Sequence, residues 1–225
     1  MSRTGGGEME QQKKPVQLAL FDFDGTLIPG DSIALYLRFT RRKGLVNDKE
    51  YMIALRAAML YGLGRKSAAD SKTAAMRFRQ RYKQDYLDRM DQEFVTTDLL
   101  PKVYGAGRKQ LEEHRAEGKK LVLVTASTEN YMRYVAQALG FDALLASQVA
   151  QDGTVTGNCK GEEKSRRVRA WLEENGLLPD WQGSFAYGDS KSDLPMLLLC
   201  GHPVQVNSKK SLQNAVPEMP RVKWR

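Results

Sequence analysis

The sequence predicts an α/β fold, a doubly wound parallel sheet of Rossmann-like type with an inserted α-helical cap. Three observations carry this. Residues 16–23 and 120–125 are nearly continuous apolar runs, the pattern of strands buried on both faces of a parallel sheet. From residue 100 onward, strand-like runs alternate with helical stretches. Between the first run and that alternation, residues 31–99 carry helical periodicity and no strand signal.

The elements follow in order. Met1 to about Pro15 is rich in Gly, Gln, Glu and Lys without apolar period, so residues 1–14 are assigned to a disordered tail. The first strand ends in Asp22, and Asp24-Gly25 breaks it. Residues 15–30 and 100–225 form the predicted core, and 31–99 the helical cap. Within the cap, one helix runs from Ser32 to Gly44, a second over Tyr51–Tyr61, and a long basic third over Ser71–Met90. A helix over Pro101–Glu117 stops at Gly118, and the second strand is Lys120–Thr125. Glu129–Leu139 is helical and Phe141–Ala146 a short strand. Asp152-Gly153 marks a hairpin within Val149–Gly157. Glu162–Glu174 is a helix with Val168, Trp171 and Leu172 on one face. Ser184–Tyr187 is a strand, Asp193–Leu199 a helix and Pro203–Val206 a last strand. After that the signal fades.

Composition narrows the function classes. Cys159 and Cys200 are too few and too far apart for a disulfide framework, and reduced thiols are expected. His114 and His202 lack metal-ligand neighbours, which argues against histidine-based zinc chemistry, and His114 is expected at the surface. No run is long enough to span a membrane and no secretory signal is present, so a cytoplasmic location is expected. The net charge of +8 fits nucleic acid or anionic small molecules. Residues 31–98 hold 14 Lys plus Arg against 9 Asp plus Glu. Arg77, Arg79, Arg81 and Lys83 do not share one face, and a solvated surface is the reading preferred for them. Aromatic interleaving suited to single strands is weak, so no nucleic-acid partner is expected. Met52, Met59 and Tyr61 are read as cap core.

Three strand ends carry polar residues: Asp22-Phe23-Asp24-Gly25-Thr26, Thr125, and Gly188-Asp189 with Asp193 four residues on. Parallel strands put these ends on one rim, where open α/β sheets bind ligands. Asp22, Asp24, Asp189 and Asp193 would repel each other unless a cation offsets them. An all-oxygen set suits Mg2+, the usual partner of phosphate. One carboxylate can attack phosphorus and another handle protons. The Thr125 hydroxyl, the Ala126 N–H and the Lys160 ammonium are candidate donors to the phosphoryl group. Taken singly, Asp22 and Asp24 could end a strand, Lys160 could be a surface lysine and Asp193 a first-turn helix acid.

In these motifs the chain resembles the haloacid dehalogenase superfamily of phosphohydrolases. Phe21 to Leu27 resembles its first motif, Leu121 to Thr125 its second, Lys160 in Lys160-Gly161-Glu162 its third, and Gly188 to Asp193 its fourth. The helical insertion between the first two motifs is similar to the phosphoserine phosphatase-like branch. The resemblance implies Asp22 as nucleophile and metal ligand. It implies Asp24 as general acid/base, binding Mg2+ through its carbonyl. Asp189 would be a ligand with Asp193 behind it, and Gly25, Thr125, Ala126 and Lys160 would hold phosphate. The substrate-reading flap acid would fall at Asp31. The implied activity is magnesium-dependent hydrolysis of a small phosphate monoester through a phospho-aspartate. A phosphomutase or phosphotransferase of the same superfamily is an alternative, as is, in a different class, a basic nucleic-acid-binding protein. Asp24 argues against a dehalogenase, and the large insertion against a receiver module. Phosphoserine, histidinol phosphate, a sugar phosphate and a lipid head-group phosphate all stay open as substrates, and oligomeric state is not legible.

Overall fold

The computed structural model describes residues 15–225. The tail expected over residues 1–14 lies outside the described residues. One sheet has the strand order β4-β3-β2-β1-β5-β6-β7. Its strands are β1 (Leu18–Phe21), β2 (Lys120–Thr128), β3 (Ala143–Val149), β4 (Val155–Gly157), β5 (Phe185–Gly188), β6 (His202–Val206) and β7 (Arg221–Val222). All pair in parallel except β3 with β4. β1 is central and wholly buried, which accounts for its unbroken Leu-Ala-Leu-Phe run. Phe21 is in register with Leu123 of β2 and Tyr187 of β5, so the ends of these strands meet on one rim.

Between β1 and β2 lie α1 (Ser32–Arg42), α2 (Asp48–Gly62), α3 (Ala68–Met76), α4 (Gln84–Phe94) and α5 (Gly105–Ala116). Asp31 caps α1 by accepting from Ala34 N at 2.9 Å. Asn47 and Glu50 form a reciprocal capping box at the start of α2. After β2 come α6 (Glu129–Leu139), α7 (Glu162–Glu174), α8 (Leu194–Leu197) and α9 (Lys210–Ala215). α1 and α4 share one hydrophobic cluster with the sheet: Tyr36, Phe39 and Phe94 join Phe21, Phe23 and Tyr131. A smaller cluster, Leu37, Ala54 and Ala75, joins α1, α2 and α3.

Several expectations change. The long third helix is broken into α3, a 3-10 turn at Arg77–Arg81 and α4, because Tyr82 and Lys83 are extended. The break turns Arg79 inward onto Asp91 at 2.9 Å, with 4% and 0% of the two side chains exposed, so Arg79 is not part of a solvated face. His114 is buried rather than exposed, with Nε2 2.7 Å from the Tyr187 hydroxyl. Met52 and Met59 are exposed rather than core, and Tyr61 lines a cavity. Beyond Val206 the chain adds α9 and β7, which pairs with β6. Both cysteines are buried free thiols. Among the described residues no helix is long and apolar enough to cross a membrane.

Candidate active site

The rim formed by the carboxyl ends of β1, β2 and β5 floors a cavity of about 370 Å³, walled on its other side by α1, α2 and α3. Asp22 follows β1 directly and is buried. Its Oδ1 accepts from Lys164 Nζ at 2.5 Å and its Oδ2 from the Thr26 hydroxyl at 3.1 Å. The chain then reverses at Gly25, whose left-handed φ of 80° and lack of a side chain are both needed. A Cβ there would stand 2.3 Å from Asp189 Oδ2.

That reversal sends Asp24 elsewhere. Its Oδ1 accepts from Ser32 N at 2.7 Å, and its Oδ2 from the Ser32 and Ser127 hydroxyls. Burial, then the charge of Asp31, push the Asp24 carboxyl up to about 6, against the lowering effect of the serine donors. Asp24 is therefore poised to exchange a proton near neutrality.

Carboxylate oxygens of Asp22, Asp189 and Asp193 lie within 4.8 Å of one another, all buried. The buried Lys164 ammonium is shared between Asp22 and Asp193, the latter at 2.7 Å. Burial works against the Lys164 charge, but Asp193 and Asp22 outweigh it and raise its pKa. Asp193 also accepts from Ser190 N and Oγ at 2.9 and 2.8 Å, and against the effect of burial its carboxyl is held below the usual range, by Lys164 first and the Ser190 donors second. Asp189 is paired with the exposed Lys209 at 2.7 Å. These cations do not suffice for Asp22. Burial, followed by Asp193, pushes its carboxyl up to about 8 despite Lys164. An all-oxygen set with negative charge in excess fits a divalent cation such as Mg2+.

The expected residues are thus partly brought together. Asp22, Asp24, Asp189 and Asp193 converge on the cavity, with Gly25 packed against Asp189. Asp31 reaches the cavity wall from the cap of α1. Thr125 is fully buried and its hydroxyl accepts from Ser127 N at 3.0 Å, while the wall at that point is made by Ala126 and Ser127. Lys160 is exposed on the cavity rim, where it donates to the Tyr61 hydroxyl. The position between the carboxylates belongs to Lys164, four residues on. Sequence reasoning missed Lys164, Ser32 and Ser127. The signal for Lys164 was present: Lys164, Val168 and Leu172 are spaced by four and form the buried face of α7, where an unpaired lysine would be costly.

The pattern of haloacid dehalogenase-like hydrolases matches residues 19–198. The chain is 29% identical over 213 residues to a histidinol-phosphatase of Neisseria meningitidis serogroup C (strain 8013), covering 89% of this chain and 95% of that protein. A crystal structure of a protein with unknown function from Bordetella pertussis Tohama I is similar with a TM-score of 0.83 and 26% identity, covering 93% of this chain and 99% of that one. A phosphoserine phosphatase solved as a phospho-aspartyl intermediate analogue shares the fold with a TM-score of 0.61 at 17% identity, covering 89% and 91% of the two chains. With the family pattern running from β1 to the residue after α8, and with helices inserted between β1 and β2 in a fold shared with phosphoserine phosphatase, the chain belongs to the haloacid dehalogenase-like hydrolase family.

Proposed function

We propose that this hydrolase is a magnesium-dependent phosphatase that cleaves a small phosphate monoester through an aspartyl phosphate on Asp22. The carrying observation is the separation of two carboxylates from one strand end. Asp22 is fixed by Lys164 and Thr26 among acidic neighbours, and Asp24 is fixed by Ser32 and Ser127 with its proton affinity raised. The phosphatase names of the Neisseria relative and of the fold neighbour support the reaction class. Residues 31–99 would serve as the cap over this site.

Asp22 and Asp189, with Asp193 behind them and the Asp24 carbonyl beside them, would hold Mg2+. When bound, the ion supplies positive charge that keeps Asp22 ionised and draws the phosphate dianion in. An Asp22 oxygen forms the new P–O bond as the bond to the substrate alcohol breaks in line. Asp24 gives its proton to the departing alkoxide. The Ala126 N–H and the Lys164 ammonium, both of residues lining the cavity, would meet the transferred oxygens. Asp24, now ionised, takes a proton from water, which attacks phosphorus and releases phosphate and free Asp22.

The two carboxylates act at different times, which gives the test. p-Nitrophenolate departs without a proton, but water still needs a base. With p-nitrophenyl phosphate and Mg2+, Asp24→Asn is expected to accumulate a phosphorylated peptide containing Asp22, seen by acid quench and mass spectrometry. Asp22→Asn is expected to give no adduct with its circular dichroism intact. A phosphoryl group on Asp24, or wild-type turnover by Asp22→Asn, would overturn the assignment.

A further inference from the structure

The cavity above the carboxylates has two kinds of surface. Its floor is charged, whereas its upper wall has an apolar part, Ile33, Leu37, Tyr51, Ala54, Leu55 and Ala58, beside the cations Arg38 of α1 and Lys72 of α3. Beyond the four floor carboxylates Asp31 is the one acid on the wall among the described residues, and it already accepts from Ala34 N as the cap of α1. An ammonium on the alcohol would thus meet one acid and two cations, while an apolar group would find the apolar part of the wall along α2.

The wall does not end at the cavity mouth. Leu55 lines the cavity and is 40% exposed. Met52, Met59 and Leu63 are 61%, 59% and 62% exposed, and with Leu55 they recur at spacings of three and four along α2 and its C-cap. They form one apolar stripe, which runs about 12 Å from Leu55 to Leu63 at the helical rise per residue. Exposed large apolar side chains in a row signal contact with something apolar, and methionine adapts to flexible partners. Arg56 stands among them, exposed and without an ion pair among the described residues. A protein partner would account for the stripe alone. An apolar chain anchored in the cavity accounts for both the stripe and the wall, because Leu55 belongs to both.

We propose that the site takes the phosphate monoester of an amphiphilic alcohol, whose apolar tail fills the wall around Leu55 and leaves along the Met52, Leu55, Met59 and Leu63 stripe of α2. The proposal rests on the phosphatase reading and names its substrate class.

The test is a series of n-alkyl phosphates from butyl to dodecyl, each below its micelle threshold, with Mg2+. p-Nitrophenyl phosphate serves as the tail-less reference. kcat/KM is expected to rise about fourfold for each methylene that enters the wall, the transfer effect of one CH2, and by smaller steps along the stripe. In the double substitution Met52→Ser/Met59→Ser the dodecyl-to-butyl ratio is expected to fall about tenfold. In Leu178→Ser, an exposed leucine beside the amino end of β1, it is expected to hold. A ratio that is flat, or that survives Met52→Ser/Met59→Ser, while p-nitrophenyl phosphate is still turned over, would overturn the substrate class and leave the phosphatase reading standing. Failure to hydrolyse p-nitrophenyl phosphate would overturn the phosphatase reading itself. Sedimentation as a dimer that Met52→Ser/Met59→Ser dissociates would assign the stripe to a second copy and overturn the proposed tail path.

Discussion

At the residue scale, the chemistry turns on how one tight reversal divides Asp22 from Asp24. Gly25 lets the chain pass close to Asp189, and the residues after it bring Ser32 N and Oγ onto Asp24. The raised proton affinity of Asp24 has burial as its first cause and the charge of Asp31 as its second. Asp31 is exposed and caps α1, a duty asparagine performs equally well. Asp31→Asn therefore removes a charge without removing a cap. The sign follows directly. In the proposed mechanism Asp24 protonates the alkoxide in its acid form, and that form is populated below about pH 6. kcat/KM for an alkyl phosphate is expected to fall as pH rises through that value. In Asp31→Asn the fall is expected at lower pH, because a negative charge that raises Asp24 is gone. p-Nitrophenyl phosphate, whose leaving group needs no proton, is expected to lack this falling limb. An unshifted limb in Asp31→Asn would refute the coupling.

At the element scale, the insertion is tied to the core by a buried polar group. Asp91 of α4 accepts from Arg79 at 2.9 Å, from the Tyr36 hydroxyl of α1 at 2.5 Å and from Asn130 of α6 at 3.0 Å. Removing one partner strands the other charge, so Asp91→Ala is expected to destabilise by about 3–5 kcal/mol in urea denaturation. Replacing the whole group by apolar residues, Arg79→Met and Asp91→Leu with Tyr36→Phe and Asn130→Leu, is expected to recover most of that loss, whereas Arg79→Met with Asp91→Leu alone recovers only part of it because Tyr36 and Asn130 lose their acceptor. A loss below about 1 kcal/mol for Asp91→Ala would mean that the pair is not closed off from water. This network also shows where the sequence stops being legible. The parallel core could be read because β1 and β2 are buried on both faces and so carry unbroken apolar runs. The carboxylates could be read because each ends a strand or opens a helix on one rim. Arg79 could not, because only the extended Tyr82 and Lys83 turn it inward, and nothing local distinguishes it from Arg77 or Arg81. Lys160 attracted the third-motif role by its Gly-Glu context, whereas burial on α7 puts Lys164 beside the carboxylates. β7 is a two-residue edge strand fixed by pairing with β6, which leaves no periodic trace.

At the scale of the whole molecule, the site is carried at the expense of stability. Asp22 is raised to about 8 by burial first and Asp193 second, and burial also raises Asp189. In the unfolded chain these carboxyls titrate near ordinary values, so between those values and their folded ones the folded state binds more protons. The stability they contribute is present at low pH and is lost as pH rises through the folded values. His114 works the other way, since burial lowers its pKa. Its contribution is lost as pH falls through the unfolded value of about 6.5. Between pH 7 and 8.5 His114 contributes little further change, but burial pushes Lys72 down to about 8 and raises the Cys159 and Cys200 thiols, so the contribution of Asp22 is read as the difference between wild type and Asp22→Asn. The EDTA-treated wild type is expected to lose more denaturation midpoint than EDTA-treated Asp22→Asn as pH rises across that window. Asp22→Asn imitates the protonated carboxyl in shape and charge, and Lys164 keeps Asp193 as its partner. That variant is expected to be more stable than wild type at pH 8.5 and flatter across the window, although inactive. Mg2+ added at pH 8.5 is expected to raise the midpoint of wild type more than that of Asp22→Asn, because only wild type regains an ionised carboxylate for the ion. A pH dependence in this window no steeper for wild type than for Asp22→Asn, or an Asp22→Asn protein less stable than wild type at pH 8.5, would mean that Lys164 and Lys209 already neutralise the cluster. The case for a divalent cation would then fall with it.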